Sequence, residues 1–180
     1  MQGINGVELY PSEYNHLINC AKANCLKLEY EIPECKDNNL MREKDVEDYL
    51  VKPLLEELGY DNTDYVQQLY IEIGNHNHAL IPDFVIHPVT SKGHQSAEFL
   101  IEVKYSITTK KQLEDAKTQA RSYAKMLKAN YSVIASKEGV WVTDYKDDYS
   151  NDVLFLTWHE LKKADNFYKL IGLLGKKKRK

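Results

Sequence analysis

Apolar residues recur at helical spacing in two long stretches of the chain and at strand spacing in several short ones. Over 43–58, Val46, Tyr49, Leu50, Pro53, Leu54 and Leu58 fall at helical intervals, which predicts an amphipathic helix with Gly59 as its stop. Pro53 has no N–H to bond back to residue 49, so a bend is expected near Tyr49. Over 110–128, a stripe of Leu113, Ala116, Ala120, Tyr123, Ala124 and Leu127 predicts another helix. A closing helix is predicted over 158–174. A short one starts at Glu13 behind Ser12, with Tyr14, Leu17, Ile18 and Ala21 on one face. Apolar runs rich in β-branched and aromatic residues predict strands over 65–74, 79–86, 99–105, 131–135, 140–143 and 153–156. The polar residues between them read as turns and loops, at 74–78, at 90–95 around Gly93, and at 137–139. Residues 26–32 alternate weakly and read as a strand or a loop. The order α-β-β-β-α-β with extra strands predicts an α/β fold, a mixed β-sheet flanked by helices.

Composition changes this picture little. A chain of 180 residues suits one domain around a single core. That domain is expected at 41–180, with 1–40 as an N-terminal extension packed on it or on a partner. The net charge of −3 does not announce a nucleic-acid binder. Acids crowd 29–64 and bases crowd 104–128, however, so one basic face remains available to a polyanion. Cys20, Cys25 and Cys35 are odd in number and form no C-x-x-C pair, which predicts reduced thiols in a cytoplasmic protein. The chain opens without a leader-like pattern and holds no apolar run of membrane length, so no membrane partner is expected.

Two of the predicted strands carry charge where charge is costly. Ala79-Leu80-Ile81-Pro82-Asp83-Phe84-Val85-Ile86 holds an acid, and Phe99-Leu100-Ile101-Glu102-Val103-Lys104-Tyr105 holds an acid and a base. Asp is depleted in strands, and a charge among Leu, Ile, Phe and Val is costly unless it is paired or binds a metal. Side chains alternate along a strand, so Glu102 and Lys104 share a face. With the Asp83 strand alongside, two carboxylates meet and repel. A hard divalent ion such as Mg²⁺ would relieve them and keep positions for water and a phosphate, and the Val103 carbonyl could add one more oxygen. Such an ion acidifies its water and steadies charge on a phosphodiester, with Lys104 as a point charge for the attacking water or the scissile phosphate. The residues leave a plainer reading open, a strand ion pair on a solvated face and a Pro-Asp that merely opens a strand.

Other positions carry two readings each. Glu43 lies near the buried face of its helix, where an acid is also favoured by the helix dipole. His76 and His78 are metal ligands or solvated loop residues. Gln119 and Tyr123 share a helix side, with Tyr123 on the apolar stripe. Lys117, Arg121, Lys125 and Lys128 form a solvated face or a track for a nucleic-acid backbone. The basic end at 176–180 touches DNA or frays into solvent.

Pro82-Asp83 followed by Glu102-Val103-Lys104 resembles the PD-(D/E)xK nuclease motif. Gln119-Ala120-Arg121-Ser122-Tyr123 resembles the QxxxY motif of part of that superfamily. Residues 42–60 resemble the first helix of one member family, the N-terminal nuclease domain of type I restriction enzyme R proteins. The likeness runs from about Met41 to the end of the chain. It implies a restriction-endonuclease-like fold and a Mg²⁺-dependent DNA endonuclease, with Mn²⁺ expected to substitute. It implies Asp83 and Glu102 as catalytic metal ligands, assisted by the Val103 carbonyl, and Lys104 as the third catalytic residue. Glu43 would approach the metal, and Gln119 and Tyr123 would support the site or contact DNA. The implied partners are DNA and the motor, methylation and specificity subunits of a restriction complex. R proteins carry a DNA-translocating motor, and this chain has no G-x-x-x-x-G-K-[ST] phosphate loop. An N-terminal piece of a longer protein or a stand-alone relative is therefore expected. Two other functions stay open: a non-catalytic module that binds DNA or docks a restriction complex, and another nuclease of the superfamily, such as a junction resolvase or an RNA nuclease.

Overall fold

Pro53 shapes the first helix. The structure, a computed structural model, describes residues 40–72, 79–91, 94–145 and 150–176. The helix expected from Glu13, the run 26–32, the three cysteines, His76, His78 and residues 177–180 lie outside them. Helix α1 (43–57) is α-helical over Glu43–Val46, π-helical over Glu47–Val51 and α-helical again over Lys52–Glu57. Because Pro53 cannot donate to Tyr49, the turn widens, and the N–H of Lys52 reaches back to the Glu47 carbonyl. The bend expected at Tyr49 thus takes the form of a wider turn. The extra residue rotates the buried face: Tyr49, expected on the apolar stripe, is 49% exposed, while Val51 and Leu55 are fully buried. The helix stops at Gly59, whose φ of +92° suits a residue without Cβ.

The strands are β1 (Tyr65–Gln67), β2 (Ile71–Glu72), β3 (Ala79–Leu80), β4 (Phe84–Ile86) and β5 (Val89–Ser91). They continue with β6 (His94–Ser96), β7 (Phe99–Val103), β8 (Tyr131–Ser136), β9 (Gly139–Asp144) and β10 (Asn151–Leu156). Helix α2 (Lys110–Met126) lies between β7 and β8, and α3 (Trp158–Leu161) and α4 (Ala164–Leu174) close the described chain. A six-stranded sheet runs β1-β4-β7-β8-β9-β10. β7 and β8 are parallel, joined across α2, and every other neighbouring pair in that sheet is antiparallel.

Four expectations are corrected. The strands predicted over 65–74 and 79–86 both break at one place. Gln68 takes a positive φ of 51° and donates its N–H to the Asp83 carbonyl at 3.0 Å. Pro82 has no N–H for a ladder, and beyond it β2 and β3 pair as a separate ribbon. Of the stretch 90–95 expected as a loop, Thr90, Ser91, His94 and Gln95 are strand residues, since β5 and β6 pair with Ser91 opposite His94. The helix predicted over 158–174 is two helices. Lys163 is extended at ψ 125°, and the Asn166 amide donates to the Glu160 carbonyl at 3.1 Å, satisfying an end of α3. The last strand starts earlier than predicted, at Asn151, and bulges between Asp152 and Leu154.

Alternation along the strands sorts the core. Phe99, Ile101 and Val103 face α1 and α4, and Val85, Leu100 and Ile134 face α2. Small residues on α2 (Ala116, Ala120, Ala124) let it lie close to the sheet. At the end of the sheet away from Asp83, His87 sits between Asp64 at 3.0 Å and Glu98 at 2.7 Å. The architecture is the α/β one that the sequence predicts, a mixed sheet flanked by helices.

The β8–β9 turn leaves no room for a side chain at Gly139. Its φ is +157°, and a Cβ there would collide with the Leu156 carbonyl oxygen and the Thr157 Cα, both backbone atoms that cannot swing away. Gly139→Ala is expected to destabilise the chain by about 1–3 kcal/mol, read as a lower urea midpoint with unchanged slope.

Candidate active site

The register of β4 and β7 brings two acids together. Phe84 pairs with Ile101, so one step further along the antiparallel ladder sets Asp83 opposite Glu102. Asp83 Oδ2 accepts the Val103 N–H at 2.7 Å. The N–H and C=O of one residue in an extended strand point to the same side, so the Val103 carbonyl also faces the Asp83 edge. Glu102 is 2% exposed, and its Oε1 accepts from Lys104 Nζ at 2.8 Å. Among the described residues, Glu102 Oε2 is the buried side-chain atom with no hydrogen-bond partner.

That orphan oxygen has an electrostatic counterpart. Burial pushes the Glu102 carboxyl up to about 7, and the neighbouring Asp83 charge pushes the same way against the bond from Lys104. Asp83 is also raised by burial, opposed by the Val103 N–H and the Lys104 charge. Burial alone would lower Lys104, but its hydrogen bond and attraction to Glu102 outweigh this and hold its ammonium above the usual range. An uncompensated buried carboxylate oxygen costs about 1–3 kcal/mol or more, so it marks a place built for something other than stability.

Helix α1 adds two glutamates. Glu43 is exposed in the first turn, and its charge raises both Asp83 and Glu102. Glu47 escaped the sequence reading. It is 8% exposed, bonded by Lys44 at 2.8 Å and Gln67 at 3.3 Å, and its charge also raises Asp83. Its signal was the spacing of four from Glu43, which stacks both acids on one helix side. It opens the π-helical stretch, a distortion frequent at functional sites. Among the described residues, no three His, Cys, Asp or Glu side chains are gathered tightly enough to hold a metal by themselves.

Beside these residues opens a cleft of about 410 Å³, lined by Glu43, by 104–107 and by Gln112, Asp115, Ala116 and Gln119 of α2. Gln119 donates to the hydroxyl of buried Tyr123 at 2.9 Å. Asp83, Glu102, Val103, Lys104, Glu43 and Gln119 therefore converge. The basic residues of α2 do not join them. At about 100° per residue, Lys117, Arg121 and Lys125 fall on the flank away from Gln112, Asp115 and Gln119, and Lys128 lies beyond the helix end with a positive φ of 47°. Lys117 is held by Asp152 of β10 at 2.6 Å, while Arg121, Lys125 and Lys128 are exposed.

No family model matches the chain, and no curated protein matches it. A solved structure that does match is a fragment described as an HsdR subunit of a type I restriction enzyme from Vibrio vulnificus YJ016. It is 17% identical, covers 77% of this chain and 27% of its own, and superposes with a TM-score of 0.46. The chain thus spans about a quarter of the length of that structure, and a likeness at this level says nothing about chemistry.

The site itself fits a small hard cation. It offers two carboxylates, one of them with an orphan buried oxygen, and a strand-edge carbonyl, all of the oxygen class that Mg²⁺ or Mn²⁺ prefers.

Proposed function

We propose that the chain is a metal-dependent nuclease domain that hydrolyses DNA phosphodiester bonds. The observation that carries this reading is Glu102 Oε2, buried without a partner on a carboxylate that lies opposite Asp83 and whose other oxygen holds the Lys104 ammonium. Asp83, Glu102 and the Val103 carbonyl would hold Mg²⁺, or Mn²⁺ in its place. When bound, the ion would lower the pKa of its water and offset charge on the phosphate. Lys104 stands at the cleft wall, where its ammonium holds the attacking water or a phosphate oxygen. Glu43 and Glu47 add negative charge that strengthens the site's preference for a cation. Gln119 and Tyr123 support the cleft wall or touch DNA. The setting that the motifs favour is a type I restriction R protein or a stand-alone relative in the cytoplasm, with target choice and translocation left to other subunits. A junction resolvase or an RNA nuclease would share the metal site and differ in the surrounding surface.

A second reading, a non-catalytic module that binds DNA or docks a restriction complex, draws on the α2 basic residues. Arg121, Lys125 and Lys128 are exposed; the first two sit across the helix from the cleft, and Lys128 follows the helix end. It requires DNA binding that survives loss of Lys104 and needs no divalent ion.

Nicking of supercoiled plasmid with Mg²⁺ or Mn²⁺, run beside Lys104→Ala, separates the two readings. The nuclease reading expects cleavage in the parent and a loss of two orders of magnitude or more, roughly, in the variant. Equal cleavage in both, or none in the parent while metal-free DNA binding persists, sinks it.

A further inference from the structure

Lys104 directly follows β7, with its N–H bonded to the Ala135 carbonyl at 2.9 Å. The connection from Tyr105 to Thr109 then crosses to α2 without helix or strand structure, and 104–107 form one wall of the cleft. Such a segment needs an outside anchor to hold one shape. Its anchor is a carboxylate 31 residues away from Ile107. Glu138, in the β8–β9 turn, accepts the Ser106 hydroxyl at 2.5 Å with one oxygen and the Ile107 N–H at 2.8 Å with the other. The second oxygen also accepts the Ser136 hydroxyl at 2.5 Å, and Ser136 Oγ takes the Glu138 N–H at 3.1 Å. The turn grips the same segment once more through Lys137, whose N–H donates to the Tyr105 carbonyl at 3.3 Å and whose ammonium lies 4.8 Å from the centre of the Tyr105 ring.

We infer that Glu138 is a positioning residue, which fixes the 105–107 segment from the neighbouring hairpin and so holds the Lys104 ammonium against Glu102 at the cleft. The inference rests on the proposed nuclease reading only for its catalytic consequence, since the clamp itself is independent of any ion. Burial works against a charge at Glu138, but the bonds from Ser106, Ser136 and Ile107 win and hold its pKa below the usual carboxylate range, so the clamp is ionised at neutral pH. Glu138 meets the site through backbone and hydroxyl groups and touches no candidate ligand.

The test compares Glu138→Ala and Glu138→Gln with the parent by NMR of the lysine ammonium groups, on metal-free protein, with Lys104→Arg to assign the signal. A Lys104 ammonium held by Glu102 with its side chain 28% exposed gives a slowly exchanging resonance. That resonance is expected to vanish in Glu138→Ala and to persist in Glu138→Gln, whose amide oxygen still accepts from Ile107. Circular dichroism checks that both variants are folded. An unchanged Lys104 resonance in folded Glu138→Ala overturns the inference, as does its loss in both variants alike. In the nicking assay, Glu138→Ala is expected to lower kcat about 10- to 100-fold at unchanged KM. If the parent cleaves nothing, the nuclease reading falls while the ammonium resonance still decides on Glu138.

Discussion

Asp83→Asn is expected to lower metal-dependent cleavage on the order of 10³-fold while the fold stands. The side chain keeps its shape, and its amide oxygen can still accept the Val103 N–H now taken by Asp83 Oδ2 at 2.7 Å. What disappears is the negative charge, half of the carboxylate pair that would draw a divalent ion. The packing at Asp83 is polar at its tip and sits at the strand's end, so no cavity forms. Urea unfolding should therefore move little, within about 1 kcal/mol, while the titration of Mn²⁺ onto the metal-free chain is lost. A variant that nicks plasmid at the parental rate would remove Asp83 from the site. A variant that unfolds would show instead that the Asp83–Val103 bond is structural.

The second large effect is on stability, and it has the opposite sign from most buried substitutions. Glu102→Gln is expected to abolish cleavage and to stabilise the metal-free chain above neutral pH. In the folded chain, burial and the Asp83 charge raise the Glu102 acid from 4.5 to about 7. The folded state therefore holds the proton more tightly than the unfolded state does. The stability this contributes is fully present below pH 4.5 and is lost as pH rises through 7, an amount of roughly 3 kcal/mol for a group 2% exposed. Glutamine carries no proton to lose, so its stability should stay flat across that window. Asp83 is raised in the same direction in both proteins and largely cancels in the difference. Urea titrations between pH 5 and pH 8 in chelator give the test, and parallel pH profiles for the two proteins would refute the account. Added Mg²⁺ should restore the parent at pH 8 by binding the folded state alone, and should do little for the variant.

What the sequence revealed and what it hid follow from the range of the interactions concerned. The α2 stripe was legible because Ala116, Ala120 and Ala124 recur at the pitch of an undistorted helix. Asp83 and Glu102 were legible because a charge within an apolar run stands out wherever the strand ends up. Glu47 was not, since one acid among several on a helix does not stand out as one in an apolar strand does; Tyr49 and Val51 misled because spacing arguments assume 3.6 residues per turn, and the π-helical stretch over Glu47–Val51 turns Tyr49 outward and Val51 inward. Gln68 was hidden for another reason: nothing in its chemistry asks for a left-handed backbone, and the break it makes is shared with Pro82 on the neighbouring strand. Lys117 read as one of four equivalent cations, yet Asp152, 35 positions later, claims it. Glu138 read as an ordinary turn acid, because its partners are a backbone N–H and two hydroxyls, groups that leave no pattern.

The single parallel pairing in the main sheet sets an order in time. Antiparallel neighbours β4 and β7 can meet as soon as both have been synthesised, bringing Asp83, Glu102 and Lys104 into proximity. The parallel partner β8 arrives only after the 17 residues of α2, and the turn that carries Glu138 arrives later still. Parallel, non-local pairing is the slow part of folding such a sheet. A chain emerging from the ribosome therefore presents its candidate site residues first and braces them last, so a nuclease of this design would stay unarmed until the β8–β9 hairpin has docked.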